Sequence, residues 1–361
     1  MHPSQTNKRI LYADILRVLA VFAVMTNHVC TSGLFVTPIS SFNWQVINFY
    51  DCLTRWAVPI FVMISGMFLL NPEKEMSLTK IYREKILRIA TALIFWGFIY
   101  RSIYAIKLSF IDKTGFEISF QSMLNEYVLI FCGSAWYHLW FLYMIIGLYV
   151  LAPLFRIFTQ NAKKKDYLYL FILFFTFGSI LPLIKDSLSL INSSIRINFG
   201  IIELLGYSTF FILGYYLSKF EVSEKIKHII FGAAFVSVIL QIIGTFFISN
   251  KTGIANEFLY GNTRPNVVIQ AIAVFLFIKD NLQKTAITEK TQQRFLVLSR
   301  YSFGMYLVHD LFNGFFSIIG FTTTSFSPIL AIPIRSIATF SMSFIVVWTL
   351  IKIPFFNKYC I

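Results

Sequence analysis

Apolar runs of about 20 residues recur along the whole length of this chain, and a run of that length crosses a bilayer as a single helix. The fold class that follows is all-α, a polytopic membrane helix bundle. About ten transmembrane helices are expected, near 10–31, 48–70, 86–107, 136–156, 167–185, 198–218, 228–249, 265–279, 301–320 and 328–352. The runs are continuous rather than alternating, which argues against a membrane β-barrel. Only 13% of the residues are charged, where a soluble domain carries about 25%. No stretch reads as a soluble domain, so one transmembrane domain over 1–361 is expected. The longest piece between spans, about 107–135, carries the apolar YVLIFC and is expected to include an interfacial or re-entrant helix.

Most of the 31 Lys and Arg residues fall in alternate inter-helix segments. Assigning those segments to the cytoplasm places both termini there. The same placement accounts for the net charge of +14 without a nucleic-acid partner. The first span has charges in its middle and no small-residue cleavage site after it, so it is expected to be retained. Cys30, Cys52, Cys132 and Cys360 show no CxxC spacing, and the histidines lack close ligand spacing. No metal is predicted.

The first span, ILYADILRVLAVFAVMTNHVCT, holds Asp14, Arg17 and His28. A charged group inside a span costs roughly 2.5–3.5 kcal/mol on insertion scales, so such groups mark functional sites by default. Arg17 and His28 fall about three helical turns apart, within roughly 20° of one face and about 16 Å along the axis. Asp14 lies one turn before Arg17 on the same side. A polar stripe therefore runs across most of the span. The plainer reading is an ion pair that holds helix packing, with a satisfied histidine at the rim.

Other polar groups recur at span ends. Asp51 and Arg55 stand at i and i+4 and are expected to pair, chiefly for structure. In VPIFVMISGMFLL, Pro59 is expected to kink the span, and Ser65 with Gly66 to permit close helix approach. KIYREKILRIA places Arg83, Lys85 and Arg88 at the cytoplasmic entry to the third span. Topology explains part of that density; a cradle for a polyanion such as a nucleotide diphosphate explains the rest. His138 sits among Trp136, Tyr137 and Trp140, as an aromatic belt residue or as a second imidazole level with His28. EFLYGNTRPN brings Asn262 and Arg264 to a span entrance, and SRYSFGMYLVHDLF carries His309 and Asp310. Glu203 is a further carboxylate inside a span. Zinc-site, P-loop, dinucleotide-fold and G-x-S-x-G patterns are not found.

The Arg-x10-His of the first span, with Asp three positions ahead of it, resembles the hallmark of the membrane acyltransferase 3 family. RWAVPIFVMISGMFLL, REKILRI, YHLWFLYMIIGLYVLAPL and SRYSFGMYLVHDL continue the resemblance in order over most of the chain. Within the family it looks most like the stand-alone O-acetyltransferases, similar to the one that modifies enterobacterial common antigen, and no SGNH hydrolase-like domain is expected in it. The resemblance implies transfer of an acyl group, usually acetyl, from cytosolic acyl-CoA to a hydroxyl of an envelope glycan or glycolipid. It implies the bacterial cytoplasmic membrane as location, and acetyl-CoA as donor substrate rather than as a permanently bound cofactor. It assigns catalysis to Arg17 and His28 and contact with the donor to Arg83 and Arg88, with His309 and Asp310 as looser matches.

A mechanism joins the two readings. Arg83, Lys85 and Arg88 bind the donor phosphates, and the pantetheine arm follows the polar stripe. His28 acts as general base or takes the acyl group itself. Arg17 orients the arm or polarises a carbonyl, held by Asp14, and His138 and Trp140 line the acceptor site. The alternative class is a transporter or flippase for a glycan or lipid-linked sugar. No internal repeat supports it.

Overall fold

The computed structural model describes residues 10–111, 120–191, 202–284 and 287–361. Fourteen helices follow in order among them: α1 (Leu11–Leu34), α2 (Phe42–Cys52), α3 (Ala57–Leu69), α4 (Leu78–Lys80), α5 (Leu87–Ile111), α6 (Phe120–Phe131), α7 (Trp140–Asn161), α8 (Lys164–Phe175), α9 (Leu181–Ile191), α10 (Ile202–Lys219), α11 (Glu224–Thr252), α12 (Pro265–Lys284), α13 (Glu289–Ile318) and α14 (Pro328–Leu350). Short π-helical turns join α4 to α5 (Ile81–Ile86) and α8 to α9 (Thr176–Ile180), and one follows α14 (Phe356–Cys360). No strand occurs among the described residues. Eight stretches are long and apolar enough to cross a membrane. The other two expected spans correspond to α10 and α13. Glu203 lies on α10, but its side chain falls outside the described residues. The piece between the third of those eight long stretches and α7 includes α6, a 12-residue helix.

Local sequence sets the helix ends. Ser41 caps α2 by accepting from the Trp44 N–H at 3.2 Å, and Thr288 caps α13 by accepting from Thr291 at 3.4 Å. Pro265 and Pro328 open α12 and α14, where a missing N–H costs nothing. Gly253 ends α11 at φ +74°, the left-handed conformation that glycine adopts without penalty.

The second expected span is interrupted rather than kinked. α2 stops at Cys52 and α3 starts at Ala57. The Thr54 hydroxyl donates to the Asp51 carbonyl at 2.8 Å and closes the turn between them. Pro59 then stands in the first turn of α3, among N–H groups that have no intrahelical partner, so it breaks nothing. Arg55 accordingly projects from a turn, not from a continuous helix.

The chain forms two compact units, Met1–Phe68 with Ala162–Ile345 and Leu69–Asn161 with Val346–Ile361. In the first, α1 packs along α13. Ser299 bonds Asp14, and His309 bonds His28. Both residue numbers rise together, so the two helices run parallel. α14 returns antiparallel along α13: Phe344 meets Tyr301 edge-on at 5.6 Å, and Thr339 donates to Asn313 at 3.4 Å. α3 and α10 approach through reciprocal glycines. A Cβ on Gly66 would land on the Phe211 carbonyl, and one on Gly214 would land on the Met63 carbonyl. Small residues that let backbones meet are how helices associate where no hydrophobic force separates protein from lipid. α11 and α12 add interhelical hydrogen bonds, from the Gln270 amide to Ser237 Oγ (3.2 Å) and Gln241 Oε1 (2.9 Å). Trp44, fully buried, donates to the Leu34 carbonyl at 3.0 Å and closes α2 onto α1.

In the second unit, Arg156 of α7 is buried. It donates to the carbonyls of Leu69 (2.7 Å), Asn71 (2.9 Å) and Lys74 (2.7 Å). Arg101 of α5 holds the carbonyls of Ala135 (3.0 Å) and Ser134 and pairs with Glu126 of α6 at 2.8 Å. These bonds satisfy backbone groups that water would otherwise have to reach.

Candidate functional site

The site is built on the α1–α13 contact. His28 Nδ1 lies 2.6 Å from His309 Nε2, with the two ring planes 22° apart. His309 is fully buried, and its Nδ1 stands 2.6 Å from the Tyr306 carbonyl one turn back on its own helix. A carbonyl only accepts, so His309 Nδ1 carries a proton. In a neutral pair His309 Nε2 then carries the lone pair, and the proton between the rings belongs to His28 Nδ1. That leaves the lone pair of His28 on Nε2. The main chain of α13 thus fixes the tautomers of two imidazoles in sequence, in the way a second partner usually orients a working histidine. His28 itself is half-buried.

About three turns back along α1 lie the two charges of the same stripe. Arg17 Nη1 is 3.4 Å from Asp14 Oδ1. The same carboxylate oxygen accepts from Ser299 Oγ of α13 at 2.6 Å. The Arg17 guanidinium lies 4.9 Å from the centre of the Phe68 ring. Asp14 is almost wholly buried, while the Arg17 side chain keeps 31% of its surface. The carboxylate is therefore held from two helices, and the arginine it steadies stays accessible.

One turn beyond the imidazoles is Arg335 of α14, 1% exposed. Its Nη2 donates to the Asn313 carbonyl (2.9 Å) and Ser317 Oγ (3.0 Å), and its Nη1 to Ser32 Oγ (3.4 Å). Ser32 follows His28 by one turn and Asn313 follows His309 by one turn, so this guanidinium ties together the two helices that carry the pair. Neither Arg335 nor Ser299 was singled out by the sequence; an arginine inside a span is the signal that could have found the first, and a serine on α13 offers none.

Beside His28, Asn27 donates to Thr54 Oγ1 at 3.4 Å, in the turn that carries Arg55. Arg55 pairs with the fully buried Asp51, lies 3.9 Å over the Tyr260 ring, and has Glu257 at 3.8 Å. Tyr260 donates in turn to Asn48. The expected Asp51–Arg55 pair is thus part of a larger cluster of acid, base, amide and aromatic ring. Asp51 Oδ2 has no hydrogen-bond partner among the described residues.

The remaining expected residues fall elsewhere. Ser65 is half-buried next to the Gly66 contact. Asn262 donates to the Tyr207 hydroxyl at 3.3 Å. Arg264 pairs with Asp186 and donates to the Phe258 carbonyl at 2.8 Å, so it fastens its own loop. Asp310 follows His309 and is half-buried. His138, Trp140, Arg83, Lys85 and Arg88 belong to the second unit. His138 is 1% exposed and meets Tyr100 and Tyr137 edge-on at 5.1 and 5.3 Å; Trp140 opens α7. Arg83 and Lys85 are exposed on the π-helical turn before α5. Arg88 donates through Nε (3.0 Å) and Nη2 (2.5 Å) to the main-chain oxygen of Ile361. No group of three or more His, Cys, Asp or Glu able to hold a metal occurs among the described residues.

A family model, Acyl_transf_3, described as an acyltransferase domain, matches residues 10–351. No curated protein and no solved structure matches the chain.

Proposed function

Because the chain belongs to the Acyl_transf_3 family of acyltransferase domains, we propose that it moves a short acyl group, acetyl foremost, from cytosolic acyl-CoA to a hydroxyl of an envelope glycan or glycolipid in the bacterial cytoplasmic membrane. The observation that carries the reading is the histidine pair anchored on the Tyr306 carbonyl, which leaves a lone pair on His28 Nε2.

His28 Nε2 takes the proton of the acceptor hydroxyl as the oxygen bonds to the thioester carbonyl carbon. The imidazolium so formed shares its Nδ1 proton with His309. The C–S bond then breaks, and the CoA thiolate takes a proton from His28 Nε2, leaving acyl ester and free CoA. General-base assistance of this kind supplies about 10²–10⁴ in rate. Arg17, steadied by Asp14 and about three turns from His28, orients the arm of the donor on its way to the histidine pair. Arg83, Lys85 and Arg88 meet donor phosphates, with guanidinium forks suited to their oxygens. His138 and Trp140 line the acceptor region, since flat aromatic faces suit sugar rings. The Arg55–Glu257–Tyr260 cluster offers a hydroxylated acceptor both charges and a ring.

The direct test is purified protein with radiolabelled acetyl-CoA and a candidate glycan. Release of CoA that depends on the acceptor supports the reading. Movement of the acceptor across the membrane without CoA release replaces it with transport.

A further inference from the structure

The cluster around Arg55 is built on rigid neighbours. Its guanidinium lies 3.9 Å over the ring of Tyr260, which is 1% exposed and donates to Asn48 Oδ1. Asn48 is fixed in turn by its amide, which donates to the Ile242 carbonyl at 3.0 Å. On the other side, Arg55 Nε donates to Asp51 Oδ1. The Asn27 amide lies next to the Asp51 carboxylate and donates to Thr54 Oγ1 at 3.4 Å. The residue before His28 therefore touches the cluster.

An arginine fork and a carboxylate can join twice. Here they join once, and Arg55 Nη2 and Asp51 Oδ2 are left over. Both atoms are buried and have no hydrogen-bond partner among the described residues. Glu257 Oε1 stands 3.8 Å from Nη2, beyond hydrogen-bond length, and its side chain is 51% exposed. Buried polar atoms without partners are costly, and one ion pair carries an unused donor and an unused acceptor. A guanidinium only donates and a carboxylate only accepts, whereas a hydroxyl does both. Water and a sugar hydroxyl share that chemistry. The contact with the residue before His28 favours the sugar, which enters by displacing the half-exposed Glu257. Asp51, Glu257 and Arg55 together carry one net negative charge, and Arg264 of the same loop is paired with Asp186. A carboxylate on the ligand would be repelled.

We propose that Arg55 Nη2 and Asp51 Oδ2 hold a second hydroxyl of the acceptor while His28 takes the proton of the first, so that the acceptor is an uncharged sugar with at least two free hydroxyls on one ring. The proposal rests on the glycan O-acyltransferase reading above.

The test measures CoA release from acetyl-CoA by the full chain in phosphatidylcholine nanodiscs. The acceptors are methyl glycosides of glucose, galactose, mannose and N-acetylglucosamine, then the monodeoxy analogues and the uronate of the best of them. In the wild type, removing one hydroxyl other than the acylated one is expected to lower kcat/KM for the acceptor at least tenfold, the scale of a charge-assisted hydrogen bond. R55K keeps a cation beside Asp51 and loses the second nitrogen of the fork. It is expected to raise KM for the acceptor at least tenfold, to leave KM for acetyl-CoA unchanged, and to treat that deoxy sugar and its parent alike. The uronate is expected to react at least tenfold less well than its parent, and E257Q to narrow that gap. No penalty for any second hydroxyl, or the same penalty in wild type and R55K, assigns the two atoms to water and overturns the subsite while acyl transfer stands. A uronate as good as its parent overturns it too. An R55K protein that melts lower and loses kcat with every acceptor alike makes the pair structural, with the same consequence. No CoA release with any of the sugars removes the glycan reading, and this subsite with it.

Discussion

His28 and His309 share one hydrogen bond, 2.6 Å between Nδ1 and Nε2, across two helices that run side by side in the same direction. Their roles differ. His28 keeps a lone pair on its outer nitrogen, while His309 is spent between its partner and the Tyr306 carbonyl. His28→Ala should lower acyl transfer by about 10²–10⁴-fold, the range for loss of a general base. His309→Gln should lower kcat by about 10–100-fold, the usual effect of removing the group that orients a working histidine, with little change in KM for the donor. Equal losses in kcat and equal rises in KM for both variants would contradict the division of roles.

The pair also sets a dependence on pH. A base must be neutral to accept a proton, so kcat should fall on the acid side with a slope of one proton. The residual activity of His28→Ala should lack that limb, and His309→Gln should move its midpoint while leaving the slope at one. A profile in His28→Ala identical in shape to the wild type would assign the limb to another group.

How much of this was legible beforehand depends on what kind of signal each residue leaves. Each expected span overlaps helical structure, and eight stretches are long and apolar enough to cross a membrane, because continuous apolar length is written directly in the sequence. Asp14, Arg17 and His28 stood out because charge is rare in a span, and they do lie along α1. What the sequence did not reveal was partnership across helices. His309 was noted, but nothing in its spacing pairs it with His28 across 281 positions. Ser299 is one of many serines until α13 lies on α1 and brings it to Asp14. The break in the second span was misplaced for a local reason: the eye goes to Pro59, while the Thr54 hydroxyl closes the turn.

Gly66, expected to permit close helix approach, does so together with Gly214. Each faces a backbone carbonyl on the partner helix, with no flexible side chain between to give way. Gly66→Ala and Gly214→Ala should each force α3 and α10 apart and cost about 1–3 kcal/mol of stability, the scale of core overpacking, read as a lower melting temperature. Substitution to alanine at Gly232, which has nothing within 4 Å of its added Cβ, should leave stability unchanged or slightly raised. Thermal melts in detergent would check this, and a neutral Gly66→Ala would refute the tight approach.

The basic residues before α5 should separate by function under the same assay. Arg88 gives two donors to the Ile361 main-chain oxygen, and Trp96 donates to the Cys360 carbonyl at 2.9 Å, so both anchor the final π-helical turn. Arg83 and Lys85 stand exposed on the preceding turn. Arg88→Ala should therefore loosen that turn and cost about 1–3 kcal/mol of stability for the oxygen left without a donor, read as a lower melting temperature, whatever it does to the donor. R83E/K85E should leave the melt unchanged and raise KM for acyl-CoA, because reversing charge weakens phosphate contact without removing any packed group. A melt lowered equally by both changes would make Arg83 and Lys85 structural. A KM moved by neither would leave the donor phosphates to other cations.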